Sequence, residues 1–161
     1  MCKFAPKISG YAGTQPSMAF DQFFDGRVKA HGIVQNRAGR VIERFDIDMM
    51  TSWQGDKGTL QEEFTYYDGR RQSRTWHITK TGNGTFAGHS DDIVGEATGE
   101  SAGCAIGFRY VLKVPVGGKT YNLSFDDRMY MMNDGVIINR AVMRKFGIRV
   151  GEVTVVMQKI K

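Results

Sequence analysis

The chain has few of the residues that interrupt or cross-link a fold. Among its 161 residues there are only three prolines, three histidines and two cysteines, against 20 glycines. Two cysteines, Cys2 and Cys104, cannot supply a disulfide framework, although one bridge between them is compatible with the sequence. We expect Cys104 to be a small buried or half-buried thiol. No stretch reaches the roughly 20 consecutive apolar residues of a membrane-spanning helix.

The net charge of +5 is not concentrated in one part of the sequence. Short basic groups, such as Arg70–Arg71 and Arg144–Lys145, alternate with acidic residues throughout the chain. A nucleic-acid-binding protein would carry a concentrated basic stripe with exposed aromatic residues or a reading helix, so we expect no nucleic-acid partner. The charge fits a solvated surface, or a mildly basic face near anionic lipid headgroups.

From about residue 26 onward the sequence predicts antiparallel strands separated by glycine-centred turns. Apolar residues recur at every second position, as in Tyr121, Leu123 and Phe125, which is the period of a half-buried strand. Asp68-Gly69 and Asp134-Gly135 are typical hairpin turns. The predicted strands cover residues 27–35, 40–53, 59–67, 70–80, 85–89, 95–103, 105–114, 120–132, 136–145 and 148–158.

Nine or ten strands joined by short turns predict an all-β fold with up-and-down order. They close most simply into a single antiparallel β-barrel, and the alternative is a two-sheet sandwich. We expect residues 1–19 to form an extended N-terminal tail and residues 20–161 to form the barrel domain. Phe20, Phe23 and Phe24 predict a single helical turn or a plug at one end of the barrel.

No catalytic or metal-binding motif stands out. His31, His77 and His89 lie singly on different predicted strands, without the short spacing of a metal site, so we expect neither a metal nor another cofactor. No serine lies in a glycine-flanked nucleophile turn and no phosphate-binding loop is present. We therefore favour a protein that is not an enzyme, without excluding catalysis by a residue such as Asp127, Arg140 or Tyr130.

Alternation along two neighbouring strands predicts a charged pair near the barrel interior. Asp127 shares a face with Phe125 and Met129, and Arg140 shares a face with Ile138. If Asp134-Gly135 sets the register of the hairpin, Asp127 lies diagonal to Arg140, and buried charges need partners. We expect an ion pair that either ties the strands together or holds the polar head of a ligand.

Aromatic residues and methionines predict an apolar lining for a cavity. Methionine is adaptable and suits permissive apolar pockets, and ligand pockets combine hydrophobic walls with a few polar groups. The predicted ligand-binding residues are Trp53, Trp76, Phe108, Tyr110, Phe125, Asp127, Met129 and Arg140.

Many short motifs resemble a bacterial family known as domain-of-unknown-function family 3833, whose members look like lipoproteins. The most distinctive is the run from Val94 to Glu100, Val-Gly-Glu-Ala-Thr-Gly-Glu, followed by Ala102-Gly103. The other matching motifs are Phe24-Asp25-Gly26, Arg44-Phe45, Gly58-Thr59-Leu60, Arg74-Thr75-Trp76, Phe125-Asp126-Asp127, Met129-Tyr130, Asn139-Arg140, Lys145-Phe146-Gly147 and Val150-Gly151-Glu152.

The resemblance implies a lipocalin-like barrel but no established reaction. It also implies that Cys2 is the lipid-modified cysteine of a lipoprotein, because family members place that cysteine a similar distance before the Phe-Phe-Asp-Gly segment. Met1 stands where a signal peptide would end. We favour removal of a signal peptide and a membrane-anchored protein of the bacterial envelope that faces the periplasm, and the alternative is a cytoplasmic protein.

Three functions remain open from the sequence. The first is a lipoprotein that binds or carries a lipid or another small hydrophobic molecule inside the barrel. The second is an enzyme or accessory protein acting on such a molecule, and the third is a structural lipoprotein whose barrel is filled by its own side chains.

Overall fold

A computed structural model describes residues 5–161 and shows one closed β-barrel. Each strand pairs antiparallel with the next along the chain, and the first pairs with the last. The prediction of an up-and-down barrel is therefore confirmed. The strands are β1 (Gly26–Asn36), β2 (Val41–Gln54), β3 (Lys57–Tyr66), β4 (Arg71–Gly82), β5 (Thr85–His89), β6 (Ile93–Ala102), β7 (Ala105–Val116), β8 (Lys119–Met131), β9 (Val136–Lys145) and β10 (Ile148–Lys159).

Alternation of apolar and polar residues decides which face of each strand lies inside. In β7, Phe108 and Leu112 are buried inside the barrel, while Arg109 between them is exposed. This arrangement follows because successive side chains on a strand point to opposite faces. The turn between β3 and β4 uses Gly69 at a φ of 95°, a conformation that glycine adopts without steric cost.

Aromatic rings lie over glycines on the inner face of the barrel. A side chain at Gly99 would lie 2.4 Å from the Cε1 atom of Phe108, and one at Gly32 would lie 2.3 Å from the Cζ atom of Phe45. Glycine at these two places lets the rings lie against the neighbouring strand, a close approach that any larger residue would prevent. The rings then fill part of the interior.

A short helix closes one end of the barrel. The helix, α1, spans Phe20–Phe23, and both of these phenylalanines and Phe24 are buried. Trp53 donates from its indole nitrogen to the Phe24 carbonyl oxygen at 3.0 Å. Lys80 forms an ion pair with Asp21 at 2.5 Å. The predicted helical turn and the predicted plug are thus the same element, and we name this end the closed end.

The N-terminal segment before α1 packs along the outside of the barrel. A 3-10 helix spans Ile8–Tyr11, and Ile8 is only 4% exposed because it covers the outer face of β7 at Gly107. Arg128 on the neighbouring strand donates to the Pro6 carbonyl oxygen. Nothing in the sequence pattern indicated this packing. Cys2 lies outside the described residues.

The opposite end of the barrel, which we name the open end, carries five hairpin turns and no helix within residues 5–161. These turns join β1 to β2, β3 to β4, β5 to β6, β7 to β8 and β9 to β10. None of the helices within that range is long and apolar enough to cross a membrane.

Candidate functional site

A cavity of about 280 Å³ lies inside the barrel, between α1 and the open end. Side chains from all sides of the barrel line its wall. Most of the wall is apolar, including Phe45, Ile47, Leu60, Phe64, Trp76, Ile78, Phe108, Leu112, Phe125, Met129, Val153, Val155 and Met157. The polar members of the lining include Glu62, Arg74, Tyr110, Asp127 and Asn139.

Six of the eight residues predicted to bind a ligand line this cavity. They are Trp76, Phe108, Tyr110, Phe125, Asp127 and Met129. The Tyr110 and Phe125 rings stack nearly parallel with their centroids 5.3 Å apart, and the Trp76 ring meets Tyr110 edge-on at 5.2 Å. These three aromatic rings form a continuous apolar part of the wall, against which an apolar chain could pack.

The other two predicted residues lie elsewhere. Trp53 packs at the closed end, where its ring meets Phe20 edge-on at 6.2 Å, so it helps to hold the plug. The predicted ion pair between Asp127 and Arg140 is wrong. Arg140 lies on the outer surface with its side chain 60% exposed, and its guanidinium binds Glu152 on β10.

The register of β8 and β9 explains the error. Asp127 pairs directly with Ala141, so residues Ile137, Asn139 and Ala141 share its face and Arg140 points to the opposite side. A shift of one residue in register exchanges the two faces of a strand. The inner polar neighbour of Asp127 on β9 is therefore Asn139 rather than Arg140.

Asp127 is a buried carboxyl group with few polar contacts. Tyr110 donates its hydroxyl hydrogen to Asp127 Oδ2 at 3.1 Å. Within the described chain, neither Asp127 Oδ1 nor Asn139 Oδ1 has a hydrogen-bond partner. Burial raises the pKa of Asp127 to about 7, although the Tyr110 hydroxyl and then the Asn139 side chain oppose the shift. Two buried acceptor oxygens thus line the cavity without a donor.

Glu62 is a second buried carboxyl group in the same wall. Burial raises its pKa to about 7, against the effect of the positive charge of Arg74, and the negative charge of Asp127 adds to the increase. Glu62 and Arg74 are directly opposite each other in the β3–β4 ladder. The guanidinium of Arg74 instead donates from Nε to Asp92 at 2.9 Å, and Ser90 donates to the same carboxylate at 2.9 Å.

The place of Arg74 follows from the shortness of β5. β5 pairs with β4 only from His77 to Gly82, which leaves the open-end part of β4 without a strand partner on that side. The segment Ser90–Asp92 fills this gap, and the ion pair of Arg74 and Asp92 is largely buried there. The pair therefore closes the wall of the barrel where the backbone ladder stops.

Sequence reasoning missed Glu62, Arg74 and Asn139 as members of the site. Alternation alone could have found Glu62, because it lies between Leu60 and Phe64 on the same face of β3. Arg74 likewise precedes Trp76 by two residues and shares its face. A polar residue inside an apolar alternation is a stronger signal of an interior site than a pair of adjacent acids.

The histidines do not converge on the cavity. His77 and His89 are exposed and lie opposite each other in the β4–β5 ladder, and His31 binds Asp46 on the outer surface at 2.7 Å. In the part of the chain that the structure describes, no group of three or more histidine, cysteine or acidic residues is arranged to hold a metal ion.

The arrangement provides an apolar chamber with one polar cluster, which we name the interior polar cluster: Glu62, Arg74, Asp92, Tyr110, Asp127 and Asn139. Its carboxyl groups outnumber its single guanidinium. Acceptor oxygens without donors in a low-dielectric interior are costly, so a molecule that donates hydrogen bonds would stabilise them.

Comparison with curated proteins gives no match. A family comparison matches residues 1–159, almost the whole chain, to the family described as Protein of unknown function (DUF3833). The motifs that suggested this family extend from the plug through β10, and the match covers all of them. The chain belongs to the DUF3833 family.

Proposed function

We propose that the protein binds a small amphiphile, with the apolar tail in the barrel cavity and the polar head at the interior polar cluster. The observation that supports this proposal is an enclosed apolar wall interrupted by one group of buried polar residues, which is typical of small-molecule sites. The third hypothesis, a barrel filled by its own side chains, does not account for a cavity of about 280 Å³.

The size of the cavity favours a small ligand. About 280 Å³ lies just below the range of roughly 300–1,000 Å³ seen for small-molecule sites. A single short acyl or alkyl chain therefore suits the cavity better than a phospholipid with two long chains.

The chemistry of the cluster favours a head group that donates hydrogen bonds. Asp127 Oδ1 and Asn139 Oδ1 have no donor within residues 5–161, and Glu62 adds a further carboxyl group. Arg74 is already engaged with Asp92. An amine or a hydroxyl would satisfy these acceptors, whereas a carboxylate would bring a further negative charge to Glu62 and Asp127.

A displacement assay tests this proposal with amphiphiles of matched chain length. A polarity-sensitive dye bound in the cavity would be displaced by dodecylamine, dodecan-1-ol or dodecanoic acid. We expect dodecylamine to bind most tightly and dodecanoic acid most weakly at neutral pH. The Asp127→Asn variant removes one carboxylate, so the preference for the amine over the acid should fall by roughly tenfold, the effect of about 1.4 kcal/mol.

Variants that fill the cavity with a larger side chain provide the control for the displacement assay. Ala141→Phe and Val153→Phe place a ring in the chamber, whereas Ala38→Phe places the same ring in an exposed turn. The first two variants should lose dye binding and the third should keep it. Binding that survives both filling variants, with their folding verified by circular dichroism, would contradict the proposal.

A catalytic role is the second candidate, because two carboxyl groups with pKa values near 7 suit general acid–base chemistry. Mass spectrometry of a bound amphiphile after long incubation distinguishes the two functions. An intact molecule supports binding, and a chemically altered one supports an enzyme that acts on it.

The same proposal includes a membrane anchor at Cys2 and a place in the bacterial envelope, facing the periplasm. Support comes from the position of Cys2 before the Phe-Phe-Asp-Gly segment at residues 23–26, which resembles the lipidation site of the family. Mass spectrometry of the protein extracted from the membranes of its own host should show a diacylglycerol on Cys2. An unmodified cysteine would contradict the anchor while leaving ligand binding untouched.

A further inference from the structure

Three neighbouring hairpin turns at the open end share an unusual composition. They are residues 36–42 between β1 and β2, residues 144–150 between β9 and β10, and residues 113–121 between β7 and β8. The order of strands around the barrel places these three hairpins side by side. We name these three segments together the tip face.

Large apolar side chains on the tip face are exposed to solvent. Phe146 is 92% exposed, and Ile148, Val116 and Ile42 are each more than half exposed. Val41 and Val150 add further exposed apolar surface. The closed end shows less, and its exposed apolar residues include Met50 and Met132. Exposed apolar residues gathered in one region mark a site of interaction.

The backbone at Phe146 strengthens this interpretation. Phe146 and Gly147 form a two-residue turn with φ angles of 51° and 76°. A positive φ is unfavourable for a bulky residue, and such turns strongly prefer asparagine or glycine. An exposed phenylalanine at this position therefore lowers the local stability and contributes nothing to the barrel core. We infer that its role is not to stabilise the fold.

The tip face is also uniformly basic. Its three segments contain no acidic residue, and their basic residues are Arg37, Arg40, Lys113, Lys119, Arg144, Lys145 and Arg149. The two remaining turns at the open end differ in carrying acidic residues, because Asp68 lies beside Arg70 in one and Asp91 and Asp92 lie in the other. The basic residues without acidic neighbours in the same turn therefore lie on one side of the open end.

We propose that the tip face docks on an anionic lipid bilayer, with Phe146, Ile148 and Val116 entering the interfacial region and the surrounding cations contacting lipid phosphates. Apolar side chains among basic residues are the combination that binds peripheral proteins to anionic membranes. A nucleic acid would be bound in a groove with stacking aromatics, whereas Phe146 lies at the end of a hairpin. This inference does not depend on whether the cavity holds a ligand.

Docking in this orientation would bring the open end of the barrel against the membrane. Lys113, Val114 and Pro115 belong to both the tip face and the cavity lining. The membrane-contacting segments and the cavity are therefore continuous along β7. An amphiphile could then pass between bilayer and cavity without crossing the closed end.

Vesicle co-sedimentation tests the docking. The probes are vesicles of phosphatidylcholine alone and vesicles of phosphatidylcholine mixed with phosphatidylglycerol, at low salt. We expect the full chain to bind the anionic vesicles at least roughly tenfold more tightly, as several cations near the surface imply. Phe146→Ser and Lys119→Glu should each weaken that binding by about fivefold or more.

Two substitutions at the closed end are the matched controls. Met132→Ser removes an exposed apolar residue there, and Lys57→Glu reverses an exposed charge there. Both should bind the anionic vesicles as the unsubstituted chain does.

Three outcomes would overturn the docking. One is equal affinity for neutral and anionic vesicles. Another is unchanged binding by both tip variants with their melting temperatures intact. The last is that the protein binds single-stranded DNA as tightly as anionic vesicles, and that Phe146→Ser does not change the affinity for the DNA. That result would show that the basic residues attract any polyanion. If both tip variants unfold, Ile148→Ser and Lys145→Gln repeat the test.

Discussion

The two ends of this barrel are built from the same ten strands, but they differ in what covers them. At the closed end, α1 places phenylalanines over the bore, and Lys159 binds the Phe23 carbonyl oxygen at 2.8 Å. At the open end, two- to four-residue turns carry exposed apolar and basic side chains. Apolar residues at the closed end therefore stabilise the fold, whereas those at the open end remain available for contact with another surface.

The comparison shows that burial, rather than residue type, decides whether a phenylalanine stabilises the fold. Phe24 directly follows α1 and is 1% exposed, whereas Phe146 forms a turn between basic residues and is 92% exposed. Burial of an aromatic side chain contributes several kcal/mol to stability. Exposure of one contributes nothing to stability and requires a different explanation.

The largest expected effect compares these two residues directly. Phe24→Ala should lower the free energy of unfolding by about 3–5 kcal/mol, because it removes a fully buried ring and leaves a cavity. Phe146→Ala should change it by less than about 0.5 kcal/mol, as is usual for exposed sites. Urea unfolding followed by fluorescence measures both values. Similar losses of stability in the two variants would contradict the distinction between the ends.

The second-largest expected effect is a pH dependence of stability, and it arises between the two ends, where Glu62 and Asp127 are buried. Their usual pKa values are 4.5 and 3.8, and both rise to about 7 in the folded protein. Between about pH 4 and pH 7 the folded state therefore binds more protons than the unfolded state, so stability falls as the pH rises. Each carboxyl can contribute up to roughly 3 kcal/mol to this loss.

Urea unfolding at a series of pH values measures this loss. Asp127→Asn and Glu62→Gln should each reduce the decrease in unfolding free energy between about pH 4 and pH 7. Asp56→Asn, which changes an exposed acid in a turn, should leave the decrease unchanged. A decrease in Asp127→Asn and Glu62→Gln equal to that of the unsubstituted chain would contradict the raised pKa values of both groups.

The smallest expected effect distinguishes the outer surface from the cavity. Arg140→Met breaks a contact to Glu152 whose arginine side chain is 60% exposed, and Arg149 still binds the same glutamate at 2.7 Å. We expect a loss of less than about 1 kcal/mol and no change in displacement of the dye by dodecylamine. Weaker binding of dodecylamine by this variant would show that Arg140 affects the cavity, which would contradict a purely surface role.

Much of the architecture was predictable because alternation and turn residues are local signals. Asp68-Gly69 and the repeated apolar residues of β8 indicated strands with boundaries within a few residues of those observed. The orientation of β9 was not predictable in the same way. Its inner and outer faces both contain aliphatic residues, such as Ile137 and Ile138, so only the pairing with β8 decides which face carries Asn139 and which carries Arg140.

A period of two residues and short turns are local signals, so they already predicted nine or ten strands, the up-and-down order and most of the apolar lining. Local signals did not show that Glu62, Arg74 and Asp127 meet in one chamber, or that three basic hairpins lie side by side. Those placements depend on register and on closure of the barrel, which join residues far apart in the chain.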